Sequence, residues 1–224
     1  MIVLATARAE SPLADSLIAR FATPADWAYI RQRNSPAARH LSLLARASLR
    51  ALLVNRTGHG DWQICADSRG KLSIQDGTGR AGAAICLAHT QGMVACAIAH
   101  TRAIGIDIEG HRTRNFAAIA ERSFGRAECL ALRDGGAPAF YRIWTLREAI
   151  GKATGDGLQL VTDRRNYVDG GPFEGVWRHC IDETTWLLAH FHFTHGMSVA
   201  IAALLETDEA VESQLVQWLD LATV

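Results

Sequence analysis

Two stretches of this 224-residue chain read as copies of one another. HTQGMVACAIA (89–99) resembles FTHGMSVAIAA (193–203), and Thr90, Gly92 and Met93 match Thr194, Gly196 and Met197 at one constant offset. The same offset lays Pro36–Val54 over Phe140–Leu158, and both segments have helical patterning. A duplication of this kind predicts an α+β fold of two similar halves, each a long helix packed on a small antiparallel sheet. The halves are expected at 1–103 and 104–224. The length is ample for a large core, and clefts between halves are favoured ligand sites.

The first long helix has a clear start. Ser35 is a candidate N-cap and Pro36 occupies the first helical position. Leu41, Leu44, Ala45, Leu49 and Leu52 or Leu53 recur at helical spacing, with Arg39, Arg46 and Arg50 elsewhere on the surface. A shorter helix is expected over 24–33. AAICLAHT, GMVACAIA and AIGIDIE read as strands, and SRGKLSI and QDGTGRAG as turn-rich. Residues 115–133 look helical, DGGAP breaks the pattern, and AFYRIWTLREAIGKATG forms the second long helix, closed by Gly155. Strands follow near 173–180, 185–193 and 197–204, and 207–219 suits a short helix.

AIGIDIEG (103–110) poses the chemical question. In a strand Asp107 and Glu109 share one face with Gly105, while Ile104, Ile106 and Ile108 share the other. A lone D-x-E is ordinarily a solvated edge. Here the isoleucines pin the strand in a core, Gly105 admits a close neighbour on the acidic face, and paired carboxylates suit a hard cation such as Mg²⁺. In WTLREAIGK, Glu148 and Lys152 are spaced i, i+4. That spacing alone means a surface ion pair of about 0.3–0.5 kcal/mol. With Trp144 one turn earlier, the stripe also allows a buried end and a phosphate-facing end, lysine being a good point-charge ligand for phosphate.

His89 ends an apolar strand beside Thr90; it is either structural or a hydrogen-bond donor to phosphate. HFHFTH brings His190, His192 and His195 close in sequence, but no further ligand of zinc-site spacing follows, and a sheet surface is the favoured reading. GTGRAG lacks the strand-to-helix context of a phosphate-binding loop.

Lys plus Arg equals Asp plus Glu, so nothing global points to nucleic acid. No apolar run is long enough to span a membrane, and the N-terminus makes a poor signal peptide. Five scattered cysteines without a C-x-x-C read as reduced, buried thiols of a cytoplasmic protein.

A sheet-borne G-[IV]-D-[IV]-E followed on a later helix by W-[ST]-x-[KR]-E-[AS]-x-x-K is the paired signature of the 4′-phosphopantetheinyl transferases. The chain resembles that family at Gly105–Glu109 and Trp144–Lys152. AHT (88–90) and RGK (69–71) are counterparts of two upstream elements. Length, duplicated halves and motif order resemble the longer, monomeric, surfactin-synthetase type. The likeness covers roughly residues 36–204.

The resemblance implies that Asp107, Glu109 and Glu148 hold Mg²⁺ against the pyrophosphate of coenzyme A, with Lys152 and His89 also on that pyrophosphate. Thr90, beside His89, Lys71, Arg39 and Arg46 become candidates for the co-substrate's phosphates. It implies transfer of phosphopantetheine to a serine of an apo acyl or peptidyl carrier protein, releasing adenosine 3′,5′-bisphosphate. Glu148 is the first candidate for the serine proton and Glu109 the second. Arg147 stands where lysine is commonest, and Ala88 and Thr90 replace serines flanking His89. The same acidic trio also suits a Mg²⁺-dependent phosphohydrolase or nuclease, or a non-catalytic module binding coenzyme A or a carrier.

Overall fold

The computed structural model describes residues 1–32, 35–79, 82–157, 159–160, 163–168, 170–193, 196–205 and 216–221. It separates into two units, Met1–His100 with Ser213–Val224, and Thr101–Glu212. Thr194 of the sequence repeat, His195, and residues 207–215 of the tail lie outside the described residues.

In the first unit β1 (Ile2–Arg8) leads into α1 (Pro12–Phe21), α2 (Pro24–Ile30) and α3 (Pro36–Thr57). The strands β2 (Gln63–Ala66), β3 (Leu72–Gln75), β4 (Ala84–Thr90) and β5 (Met93–Ala99) follow. The Ser35 hydroxyl accepts the Ala38 N–H at 3.1 Å, and Gly58, at φ 79°, ends α3 in the left-handed conformation that glycine adopts without strain. One face of α3, with Leu44, Leu49, Leu52 and Leu53, packs into a core shared with Val3, Val94, Cys96 and Ile98. The sheet order is β10-β1-β5-β4, where β10 is Val216–Trp218.

β10 corrects the expectation of a short helix at the tail. Val216, Gln217 and Trp218 run parallel to Ile2, Val3 and Leu4 and satisfy the outer edge of β1. β1 escapes periodicity because its near-continuous burial leaves IVLATAR without clean alternation, whereas α1 does carry a helical signal, Leu13, Leu17 and Phe21 at i, i+4 spacing behind Pro12.

The second unit contains β6 (Ala103–Gly110), α4 (Phe116–Ser123), α5 (Arg126–Thr154), β7 (Gly175–Ile181), β8 (Thr184–Phe193) and β9 (Met197–Leu204). Its sheet is antiparallel, in the order β6-β9-β8-β7. The expected break appears as a bend inside α5, where Gly136 takes φ 61° and ψ −144° ahead of Pro138. α5 packs on β6, β9 and β8, as α3 packs on β1, β5 and β4. The strand orders β1-β5-β4 and β6-β9-β8 therefore match, and the sequence repeat falls on the corresponding strands β5 and β9.

Candidate active site

Strand β6 and helix α5 meet at backbone contact. A Cβ on Gly105 would lie 1.8 Å from the Ala149 carbonyl oxygen, so only glycine allows the helix this close. Because faces alternate, Asp107 and Glu109 share the Gly105 face and turn toward α5. Ile104, Ile106 and Ile108 are buried on the other face. The solvated-edge reading therefore fails for Asp107, which is 7% exposed.

Lys152, one turn beyond Glu148, reaches back to the strand. Its ammonium donates to Asp107 Oδ1 at 2.7 Å and to the Ile106 carbonyl at 3.1 Å. The Glu109 carboxylate accepts from Arg114 Nη2 at 3.2 Å. Burial and the charge of Asp107 push the Glu109 carboxyl up, while Arg114, a hydrogen bond from Trp144 and Arg112 pull it down. Glu148 is perturbed further: burial and Asp107 push it up to about 7 against the pull of Lys152, with Glu109 adding to the rise. Three carboxyl groups thus feel one another electrostatically at one helix–strand junction, balanced by Lys152, Arg114 and Arg112.

The donor set suits a hard divalent cation, whose preferred ligands are carboxylate oxygens. Asp107 Oδ2 is buried without a hydrogen-bond partner, an acceptor left open in this acidic environment. As the side chains stand, no three His, Cys, Asp or Glu groups among the described residues are gathered to hold a metal ion. Loading the site therefore requires carboxylate side chains to reorient. After such a movement Asp107, Glu109 and Glu148 could hold a cation.

The site rests on two buried supports. Arg147, in the same motif, is 1% exposed and faces away from the acidic cluster's chemistry. Its Nη1 donates to Glu128 Oε2 (2.9 Å) and the Arg165 carbonyl (3.0 Å), and its Nη2 to the carbonyls of Leu160 (2.7 Å) and Asp163. Glu128 also accepts the N–H groups of Gly125, Tyr167 and Val168. This pair ties the segment after α5 to the helix itself, a use for the guanidinium fork that one ammonium could not fill. The second support is Tyr141, whose hydroxyl accepts the Arg112 N–H at 2.8 Å and donates to the Arg112 carbonyl at 2.9 Å. His111 stacks flat on Tyr141 at 4.0 Å, and its Nε2 lies 2.9 Å from Ser198 Oγ. Glu128, Tyr141 and His111 escaped the sequence reading. Only Glu128 left a signal there, as an acid three residues after Gly125 at a helix start.

The remaining candidates lie in the first unit. His89 is exposed and Thr90 half-buried at the end of β4. Ala88 is buried, so the position preceding His89 faces the core, and a serine there would not face outward with His89. Lys71 sits in the turn before β3, its N–H bonded to the Asp67 carboxylate at 2.9 Å. Arg39 is half-buried in the first turns of α3. Arg46 is different. It is buried, donating to Asp26 at 2.7 Å and to the Ile64 carbonyl at 3.0 Å, and Arg50 joins the same carboxylate at 2.8 Å. Burial pushes Asp26 up, but both arginines and Thr23 outweigh it and hold the carboxyl down at about 2. The geometry gives Arg46 a structural role, contrary to its expected place at a phosphate. The capping box of Thr23 and Asp26 was the available signal.

His190 corrects another expectation. It is fully buried rather than on a sheet surface. The Phe173 carbonyl at 2.7 Å can only accept, so Nδ1 carries the proton and Nε2 is the bare, unpartnered nitrogen. Burial, and Arg142 with it, brings the imidazole down to about 4 despite the Phe173 bond. Among the cysteines, all free, Cys86 and Cys96 are buried as expected, but Cys180 is exposed. No helix among the described residues is long and apolar enough to cross a membrane.

Residues 103–202, which hold the whole β6–α5 junction, match the sequence model of the 4′-phosphopantetheinyl transferase superfamily. Over 120 residues the chain is 38% identical to the 4′-phosphopantetheinyl transferase HetI of Nostoc sp. (strain PCC 7120), covering 50% of this chain and 51% of that protein. Over 67 residues it is 37% identical to a Haemophilus influenzae protein provisionally assigned the same activity, covering 29% of this chain and 28% of the relative. The chain thus spans about half the length of the first of these curated relatives and less of the second.

Proposed function

We propose that this chain, whose residues 103–202 match the sequence model of the 4′-phosphopantetheinyl transferase superfamily, is a Mg²⁺-dependent enzyme of the monomeric, two-halved type. It transfers the phosphopantetheine arm of coenzyme A to a serine of an apo acyl or peptidyl carrier protein. The observation that carries this reading is the β6–α5 junction, where Asp107, Glu109, Glu148 and Lys152 converge within the matched segment.

The serine oxygen forms a bond to the phosphorus that carries the pantetheine arm. The bond from that phosphorus to the bridging oxygen breaks, and adenosine 3′,5′-bisphosphate leaves with the bridging oxygen. Transfer of this kind asks for positioning and charge neutralisation more than covalent help. Mg²⁺, when bound by Asp107, Glu109 and Glu148, supplies neutralisation of the pyrophosphate oxygens. Lys152, now on Asp107, is placed to contribute its charge to the same pyrophosphate. Glu148 is the first candidate to accept the serine proton and Glu109 the second, through a water where the carboxylate is engaged by the cation. His89, Thr90, Lys71 and Arg39 remain the first unit's candidates for the co-substrate's phosphates.

The test uses purified protein, coenzyme A, Mg²⁺ and several apo carrier proteins, with intact carrier mass as readout. A gain of about 340 Da, the mass of the arm moved by this transfer chemistry, is expected. No gain on any carrier, with coenzyme A instead hydrolysed, would establish the phosphohydrolase alternative. No gain with coenzyme A intact would establish a binding module.

A further inference from the structure

Buried arginines in this protein are heavily used. Arg46 and Arg142 each make two hydrogen bonds, Arg50 three and Arg147 four. Each of these holds a loop or a helix in place. Arg114 is unlike them. Its side chain is 18% exposed, yet it makes one hydrogen bond, to Glu109, at the long distance of 3.2 Å. Its Nε, like that of Arg147, is buried with no hydrogen-bond partner, but Arg147 uses its other donors in four bonds and Arg114 in one; the Arg114 guanidinium carbon lies 5.9 Å from the Tyr141 ring centre. A buried donor left unmade costs free energy and calls for an explanation.

The backbone that carries Arg114 is fixed on both sides. Tyr141 grips both polar groups of Arg112, and Asn115 caps α4 immediately afterwards, accepting the Ala118 N–H at 3.1 Å. A rigidly mounted arginine with most of its donors unused, beside an acidic cluster, is suited to bidentate contact with the oxygens of a phosphate arriving with a cation.

We propose that Arg114 is a switching ligand of the co-substrate: it pairs with Glu109 while the cation is away and turns onto the pyrophosphate of coenzyme A when Glu109 is engaged by the cation. This rests on the transferase reading of the site. Before loading, Asp107, Glu109 and Glu148 are balanced by Lys152, Arg114 and, more weakly, Arg112, and the single long bond to Glu109 offsets part of their repulsion. A divalent cation takes over that neutralisation, so the pairing that holds Arg114 loses its purpose. An anion then supplies the acceptors that Nε and the remaining guanidinium donors lack.

The test is calorimetric titration of wild type, Arg114→Ala and Arg114→Lys with Mg²⁺ alone, and with coenzyme A in Mg²⁺ and in EDTA. In Mg²⁺, coenzyme A should bind Arg114→Ala about tenfold or more weakly, the loss of one charge-assisted contact. Lysine should restore part of that loss, and in EDTA the wild type and Arg114→Ala should bind alike. Mg²⁺ alone should bind Arg114→Ala at least as tightly as wild type, because Glu109 has lost its competitor. A merely structural arginine would instead lower the melting temperature and weaken Mg²⁺ binding, which overturns the proposal. So does unchanged coenzyme A affinity in Mg²⁺, or an equal loss in EDTA. If Arg114→Ala does not fold, Arg114→Gln replaces it in the same titrations. Carrier modification by wild type with unchanged coenzyme A affinity in Arg114→Ala refutes the switch and leaves the transferase standing. If wild type neither modifies carriers nor binds coenzyme A, both fail.

Discussion

Glu148→Gln removes one charge from the acidic cluster with almost no change of shape. In the folded protein the Glu148 carboxyl stands at about 7 against an ordinary 4.5. Between those values the folded state holds a proton that the unfolded chain has released, so stability falls as pH rises through the window. By pH 8 the ionised carboxylate has cost the folded state about 3 kcal/mol. The neutral amide escapes that cost and has a burial penalty close to that of the protonated carboxyl, so the variant should be more stable by about 3 kcal/mol at pH 8. At pH 4.5 and below, both residues are neutral and the difference should vanish. Urea unfolding in EDTA at several pH values between 4 and 8 measures this as a difference between the two proteins. The difference is the right quantity because His190, held at about 4, titrates with the opposite sign in both. Saturating Mg²⁺ and coenzyme A should reverse the order at pH 8, since wild type alone keeps the full ligand set. Equal stability at every pH, or a less stable variant at pH 8 in EDTA, would refute the electrostatic account of the junction.

Asp107→Ala loses the 2.7 Å bond from Lys152, a partly exposed pair worth about 1 kcal/mol. It also relieves Glu109 and Glu148, so melting in EDTA should shift little while carrier modification disappears; a large drop in melting temperature would make Asp107 structural. Gly105→Ala places a methyl against the Ala149 carbonyl and should cost about 3 kcal/mol in chemical denaturation, by forcing α5 off β6. Arg147→Lys keeps the charge but strips most of the bonds to Glu128 and the carbonyls of Leu160, Asp163 and Arg165. It should destabilise by about 3 kcal/mol and raise protease sensitivity in the segment after α5.

The sequence carried the strand–helix junction because its parts are local. Alternation put Gly105, Asp107 and Glu109 on one face, and the i, i+4 spacing set Glu148 and Lys152 in line. The two motifs together gave the family likeness. What escaped depends on distance along the chain. Arg46 looked like a surface cation on α3 until Asp26, twenty residues earlier, was seen to receive it. Arg147 and Glu128 sit nineteen residues apart across the bend at Gly136, and periodicity cannot show that the two ends of α5 share a buried ion pair. Strand β10 lies beside β1 from the opposite end of the chain, where no local pattern connects them. His190 read as a surface residue because alternation assigns a shared face with His192 without saying what covers it.

The most direct test of the acidic junction is the cation dependence of coenzyme A binding in wild type and Asp107→Asn. Calorimetry across a range of Mg²⁺ concentrations should show wild-type affinity for coenzyme A rising with Mg²⁺, and the variant's affinity weak and flat. Wild-type binding that ignores Mg²⁺, or a variant that keeps the full dependence, would contradict the assignment of Asp107, Glu109 and Glu148 to the cation.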